Sequence, residues 1–155
     1  MSTDCPPRLR LRLHRYSPKY AMAKPSKALL GVGWAFPVKP VGGRLAYAEY
    51  EDDVEQAIQI ILLTDRGERP MLPEFGGGLR KFLFEPNSPA THRAIERTVR
   101  TALIDWEPRI DIDRVEVTPD DEEPNRLLIH VDYLVRATNS FYNRVYPFYL
   151  LEGSP

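Results

Sequence analysis

Apolar residues recur at helical spacing in two separate parts of the chain. The first set follows an acidic stretch and comprises Val54, Ala57, Ile58, Ile61 and Leu62. Because acidic side chains stabilise the first turn of a helix, this set predicts a helix from about residue 52 to 64. The second set comprises Ile95, Val99, Ala102, Leu103 and Trp106. Asn87 or Ser88 is its predicted N-cap, Pro89 lies in its first turn, and Pro108 ends the helix.

The last third of the chain alternates apolar and polar residues with period 2, which predicts β-strands. The clearest alternation comprises Leu127, Ile129, Val131, Tyr133 and Val135. An earlier strand over residues 110–117 changes its apolar parity at Asp113, which predicts a bulge. After a predicted turn at residues 138–143, the final strand contains Pro147. Because proline cannot donate to a ladder, we expect this strand at a sheet edge.

Helices followed by strands indicate an α+β fold, with two main helices packed on one face of a small antiparallel sheet of three to four strands. Residues 30–38 are predicted to be extended and to lie on the core. Between the helices, residues 65–78 contain four glycines and two prolines, which predict an irregular loop before a short helical turn at 79–84. The predicted domain boundaries are a basic N-terminal arm at 1–28 and an α+β domain at 29–155.

Composition and charge describe an ordinary soluble domain preceded by a basic arm. Hydrophobic residues make up 43% of the chain, and no apolar run approaches the roughly 18 residues of a membrane span. Residues 1–28 carry seven Lys/Arg and one acid, or +6, which leaves −7 for the remainder of a chain whose net charge is −1. The arm shows no apolar segment of a secretory signal, so cytoplasmic synthesis is expected, and the single Cys5 cannot form an internal disulfide.

Arginine and leucine alternate within the arm over Arg8, Leu9, Arg10, Leu11, Arg12 and Leu13. This alternation is typical of a strand that pairs with a sheet edge, and the alternative is a disordered basic tail. Leucines rather than base-stacking aromatics separate the arginines, so nucleic acid is not expected as a partner.

The sequence contains no complete catalytic motif. Five carboxylates offer pairs for glycoside hydrolysis: Asp65, Glu68, Glu74, Glu85 and Glu107. Such pairs occur in any acidic domain, and no pattern predicts an apolar pocket that would raise the pKa of one of them. The three histidines lie in separate elements, and Gly76-Gly77-Gly78 lacks the GK[ST] sequence of a phosphate-binding loop. We therefore predict no catalytic residue, metal or cofactor.

Glu107-Pro108-Arg109 raises a separate question, because a stiff proline holds a carboxylate and a guanidinium close together. Both side chains can make charge-assisted hydrogen bonds, and Arg109 can do so bidentately. They could dock a partner, or they could brace the chain's own loop through Glu68 and Arg69. The residues alone leave both interpretations open.

Two separated motifs resemble the baseplate-wedge, or sheath-initiator, family of contractile tails, some members of which are called lysozyme-like. The stretch ILLTDRGERPMLPEFGGGLRKFLFEP contains the GERxMxPxFG pattern at Gly67, Glu68, Arg69, Met71, Pro73, Phe75 and Gly76. WEPRI contains the EPR motif at Glu107, Pro108 and Arg109. The resemblance covers roughly residues 29 to 151 and excludes the arm.

This resemblance implies a non-enzymatic structural protein of a phage baseplate, a type VI secretion system or a related injection machine. The EPR motif is expected to dock onto wedge core-bundle proteins, and the GERxMxPxFG loop to act as a brace. The strands that carry Tyr133, Tyr146 and Tyr149 are expected to face sheath subunits and to initiate the sheath by sharing strands with its first ring.

The family also implies six copies in the baseplate and no small-molecule substrate. The resemblance does not cover the arm, whose charge of +6 allows contact with hub or spike-adjacent baseplate chains, with a membrane or, less expected, with nucleic acid. Two alternatives stay open. One is a peptidoglycan-cleaving, lysozyme-like enzyme, and the other is a regulatory adaptor of the same fold.

Overall fold

The structure is a computed structural model that describes residues 30–41 and 43–151. Its elements are β1 (Val32–Trp34), β2 (Pro40–Val41), β3 (Arg44–Leu45), β4 (Tyr47–Glu49), α1 (Glu51–Leu63), a 3-10 helix (Leu79–Phe82), α2 (Pro89–Trp106), β5 (Ile110–Pro119), β6 (Arg126–Val135) and β7 (Ser140–Tyr149). The predicted α+β class is confirmed. The arm lies outside the described residues.

The bounds of both long helices follow local sequence signals. Helix α1 begins at Glu51 with acidic residues in its first turn. Ser88 is the N-cap of α2, as predicted, and its hydroxyl accepts a hydrogen bond from the Thr91 N–H at 3.3 Å. Helix α2 ends at Trp106, before Pro108. Neither helix is apolar enough over a sufficient length to cross a membrane.

Strands β5, β6 and β7 form an antiparallel sheet in that order, with β6 in the centre. The predicted bulge is confirmed, because the β5–β6 register shifts between Ile112 and Arg114. A turn joins β6 and β7 as predicted, but it lies at residues 136–139 rather than 138–143, since β7 already begins at Ser140. Asn139 has a positive φ of 51°, which tightens the turn and allows Phe141 to pair with β6.

The helices cover one face of this sheet and enclose the core. Strand β6 buries alternate side chains, as its period-2 pattern predicted: Leu127, Ile129, Val131, Tyr133 and Val135. The helices contribute Val54, Ile58, Ile95, Val99 and Leu103, all fully buried. Burial of an aliphatic side chain of this size contributes about 1.5–3 kcal/mol. This core fixes α1 and α2 against the same face of the sheet.

The segment before α1 forms two small β-ribbons, β1 with β4 and β2 with β3. The prediction that residues 30–38 lie on the core is correct for Leu30 and wrong for most of the others, including Val32 and Trp34, which are exposed. The ribbon explains the difference, because a strand in a two-stranded ribbon directs alternate side chains away from the protein. Opposite Gly33, Ala48 is buried.

Candidate functional site

The EPR motif forms a tight corner between α2 and β5. The carboxylate of Glu107 is buried, with the residue only 3% exposed. Arg109 binds it bidentately, with Nε donating to Oε1 and Nη2 to Oε2, each at 2.7 Å. Its Nη1 also donates to Asp53 Oδ2 at 2.6 Å and to the Leu30 carbonyl oxygen at 2.7 Å. One guanidinium therefore joins three segments of the chain: the corner itself, the first turn of α1 and the segment at Leu30.

The electrostatics of this corner favour a permanently charged Arg109. The hydrogen bond with Glu107 raises the pKa of the Arg109 guanidinium above its ordinary value, burial opposes the shift, and the bond with Asp53 reinforces it. Close packing also fixes Asp53, because a Cβ at Gly33 would overlap its carboxylate. These contacts hold the first turn of α1, through Asp53, against the end of α2.

The outer side of the corner is open to solvent. Pro108 is exposed, and Ile104 on the last turn of α2 is 60% exposed. These two residues line a shallow depression beside the start of β5, together with Ile112 and the ion pair of Asp111 and Arg136. Glu107 and Arg109 bond inward while Pro108 and Ile104 face outward, so this corner can present to another chain a surface of fixed shape that is apolar at Ile104 and Pro108.

The GERxMxPxFG loop is held by its own backbone. The Gly67 N–H donates to the Pro73 carbonyl oxygen at 2.7 Å, and Glu68 Oε2 accepts from the Asp65 N–H at 2.8 Å. Gly76 has a φ of +115°, and a Cβ there would overlap the Thr64 carbonyl oxygen at the end of α1. The loop is thus folded closely against α1, as the GGG sequence allows.

An aromatic contact joins this loop to the EPR corner. The Arg69 guanidinium lies 3.8 Å above the centre of the Phe75 ring. Phe75 in turn packs edge-to-face on Trp106, with 5.2 Å between ring centres. Trp106 directly precedes Glu107 in the sequence. Loop and corner therefore meet through Phe75 and Trp106, whereas the Arg109 guanidinium binds Glu107, Asp53 and the Leu30 carbonyl oxygen.

The three tyrosines that were expected on sheath-facing strands occupy different environments. Tyr133 is in the core at 1% exposure and stacks on Tyr142 with 5.6 Å between ring centres, and burial raises its pKa to about 12. Tyr146 faces the same interior, and burial raises its pKa as well. Tyr149 is half exposed. Tyr133 is buried because it lies on the inner face of the central strand β6, and the expectation that these strands face sheath subunits stays a prediction.

Strand β7 has one side paired with β6 and the other side free among the described residues. Neighbouring residues of a strand direct their N–H groups to opposite sides. The Leu150 N–H donates to Asn125 at the start of β6, and the Leu151 N–H donates to Leu83 on the opposite side. Odd-numbered N–H groups of β7 therefore face the free edge. Pro147 is one of these residues, which explains how a proline fits in an unbroken ladder.

An apolar groove of about 340 Å³ lies beside this edge, between α1, the 3-10 helix and β7. Its lining includes Leu62, Leu63, Leu79, Leu83, Tyr146 and Phe148. Asp65, Glu68 and Arg80 contribute charged groups to it, and Arg80 pairs with Asp65. The groove therefore combines an apolar floor with charged groups of both signs at the side of an unpaired strand.

The carboxylates of Glu107 and Asp65 are engaged in contacts within the described part of the chain. Among the described residues there is no cluster of three His, Cys, Asp or Glu side chains that could hold a metal. Both oxygens of Glu107 accept hydrogen bonds from Arg109. Asp65 accepts a hydrogen bond from the Arg80 N–H and pairs with its guanidinium at 3.4 Å. These groups hold the fold together.

Two partners of the corner, Asp53 and Leu30, were not predicted from the sequence. Asp53 is one of three acids in the first turn of α1, and nothing local distinguishes it from the others. It lies 56 residues from Arg109 in the sequence, and no periodic pattern relates such distant positions. Gly33 was the one available signal, because a glycine in a strand often marks a close approach by another group.

Comparison with known proteins gives consistent matches. Residues 48–140 match the family model of baseplate wedge protein gp25. Baseplate wedge protein gp25 of Enterobacteria phage T4 is 39% identical over 66 residues, which are 43% of this chain and 50% of the phage protein. This chain thus spans about half the length of that curated relative.

Two solved structures are also similar. One is a crystal structure of a Geobacter sulfurreducens protein named as a candidate tail lysozyme, with 43% identity and a TM-score of 0.64 over 72% of this chain and 100% of that one. The other is a chain of the anti-feeding prophage baseplate determined by cryo-EM, with 28% identity and a TM-score of 0.67 over 71% of this chain and 89% of that one.

Proposed function

Because this chain belongs to the baseplate wedge protein gp25 family, we propose that it is a structural component of a contractile injection machine that joins the baseplate wedge to the first ring of the sheath. The free edge of β7 is the observation that carries the sheath-joining role. In this function the protein binds other chains at two surfaces and catalyses no reaction. It resides in the baseplate of the particle.

The sheath surface in this proposal is the free edge of β7. An extended segment of a sheath subunit adds there as a fourth strand, and backbone hydrogen bonds supply much of the binding. Asn143 and Val145 offer outward N–H groups, whereas Pro147 offers none. Leu83 already accepts the Leu151 N–H, so it closes the far end of the edge. The open ladder therefore centres on residues 141–145.

Val145→Pro tests the sheath surface, because proline at this position removes an outward N–H without breaking a bond to β6. We expect a folded protein that recruits little sheath subunit in a pull-down. Val145→Ala is the matched control, since it shortens the same side chain and keeps the N–H. Equal recruitment by the two variants would exclude this edge as the sheath site.

The wedge surface in this proposal is the outer side of the EPR corner. Glu107 and Arg109 position the corner from within, and Pro108 and Ile104 contact wedge core-bundle proteins. Ile104→Asp places a charge in this apolar contact without changing a buried residue, so recovery of wedge proteins should fall. Ala90→Asp is the control, because Ala90 is also exposed on α2 but lies at its opposite end. A similar loss in both variants would exclude a specific corner contact.

Peptidoglycan cleavage is a second candidate function, favoured by the two carboxylates in the groove and by the name of the Geobacter sulfurreducens relative. Asp65 and Glu68 already accept intramolecular hydrogen bonds. We therefore expect no loss of turbidity when the purified protein is added to peptidoglycan. A loss of turbidity with the unmodified protein that is absent with Glu68→Gln would show an enzymatic function and contradict the proposed structural one.

A further inference from the structure

The free edge of β7 and the adjacent groove have the geometry of a sheet that lacks its fourth strand. Helix α1 covers the inner face of β7, and the groove opens between them at Leu62, Leu63 and Phe148. Because side chains of a strand alternate between the two faces of a sheet, a strand added to this edge would direct every second side chain to the inner face, where the groove opens beside Tyr146 and Phe148. Apolar side chains at alternate positions would suit this face.

The chain itself contains a segment with that pattern. Leucine and arginine alternate over residues 8–13, so one face of an extended segment is entirely leucine and the other entirely arginine. The groove offers apolar side chains to the leucines, and the alternating arginines would lie on the opposite face of the added strand. The opposite net charges, +6 on residues 1–28 and −7 on the remainder of the chain, also favour binding of the arm to the domain.

The connection is long enough for this contact. The Leu30 carbonyl is held next to Asp53, in the first turn of α1, because both bind Arg109. The groove lies at the other end of the helix, near Leu62, which is about 14 Å away at the rise of an α-helix. The residues between Leu13 and Leu30 can span roughly 50 Å when extended.

We propose that residues 8–13 of this chain dock on the free edge of β7 as a fourth strand, with Leu9, Leu11 and Leu13 directed toward the groove, and that they leave when a sheath strand joins. These residues lie outside the described part of the chain, so the proposal rests on the edge, the groove and the Arg/Leu alternation. Docking covers an edge that would otherwise favour association with other chains. It makes the arm an internal competitor of the sheath.

Hydrogen exchange of β7 in the purified full-length protein tests this docking. The Asn143 and Val145 amides face the free edge and gain hydrogen-bond partners only when a strand is added. In the triple variant Leu9→Asp, Leu11→Asp, Leu13→Asp, these two amides should exchange at least about tenfold faster than in the unmodified protein. Equal exchange rates in the two proteins would overturn the proposal.

Two further variants test the groove side. Leu63 lines the groove and is 69% exposed, so Leu63→Asp should preserve the fold while weakening the docked arm. We expect the same acceleration of Asn143 and Val145 exchange, whereas Ala90→Asp should leave it unchanged. The protection of these two amides from exchange could also rise with protein concentration and persist in the triple leucine variant. A second copy of the chain would then cover the edge, and the proposal would be overturned.

The docked arm and the sheath-joining function can fail separately, because the exchange experiment contains no sheath. Adding purified sheath subunit from the same particle then measures competition. The triple leucine variant should bind it about tenfold more tightly, since no arm has to be displaced. Accelerated exchange without sheath binding by either protein would contradict only the proposed function. Sheath binding with the same Kd for both proteins would contradict only the docked arm.

Discussion

Arg109 is the residue on which the geometry of the corner depends. Arg109→Ala removes the bidentate partner of Glu107, which stays buried, and it also releases Asp53 and the Leu30 carbonyl. Loss of one member of a buried ion pair costs about 3–5 kcal/mol. We expect the free energy of unfolding, measured by urea denaturation, to fall by about this amount.

Arg109→Lys is the control for this prediction. Lysine keeps the positive charge but lacks the planar fork that binds a carboxylate bidentately, so its loss of stability should be smaller than that of alanine. An alanine variant as stable as the unmodified protein would contradict an internal role. The motif would then act through a partner alone.

Gly76 is the second residue whose role has a measurable consequence. Gly76→Ala combines a left-handed backbone with an overlap between the new Cβ and the Thr64 carbonyl oxygen. Gly67→Ala has a similar positive φ of +83° but open space around the new Cβ. Strained backbone costs about 1–3 kcal/mol, and forced overlap adds about 1–3 kcal/mol. Thermal unfolding should therefore show a clearly larger loss of stability for Gly76→Ala than for Gly67→Ala.

At the scale of residues, the motifs were predictable from the sequence, whereas their partners were not. The EPR and GERxMxPxFG positions are recognisable because each motif is contiguous. Arg109 finds Asp53 only because the fold brings the first turn of α1 to the end of α2, and such contacts leave no local signal. Phe75 and Trp106 meet for the same reason.

At the scale of elements, the helix bounds were predictable and the short ribbons were not. Ser88 and Pro108 act locally, so they fix the ends of α2 whatever the remainder of the chain does. Strands β2 and β3 have two residues each, too few for a period to be seen. The start of β7 was missed because its pairing with β6 overrides the turn-like composition of residues 138–143.

Strand β6 should be the element least tolerant of a broken ladder, because it pairs on both sides. Val131→Pro removes an N–H from this ladder and also inserts a ring into the core, where Val131 is fully buried. We expect the variant to lose its cooperative thermal transition in circular dichroism. A soluble variant with a cooperative transition would contradict the central position of β6.

At the scale of the whole molecule, the two proposed binding surfaces are separate features of one rigid core. The corner lies at the junction of α2 and β5, and the free edge belongs to β7, on the other side of β6. Because β6 separates β5 from β7, a substitution at one surface need not disturb the other. The division into an arm at residues 1–28 and a domain at 29–155 stays a prediction.

This separation predicts an asymmetric result in a pull-down of the tagged full-length protein from its native source, with bound proteins identified by mass spectrometry. Ile104→Asp should lose wedge proteins and retain sheath, because only the corner gains a charge. Val145→Pro should lose sheath and retain wedge proteins, because only the edge loses a donor. If either folded variant lost both partners at once, the independence of the two surfaces would be contradicted. Recovery of a soluble regulator in place of both partners would instead indicate an adaptor built on the same fold.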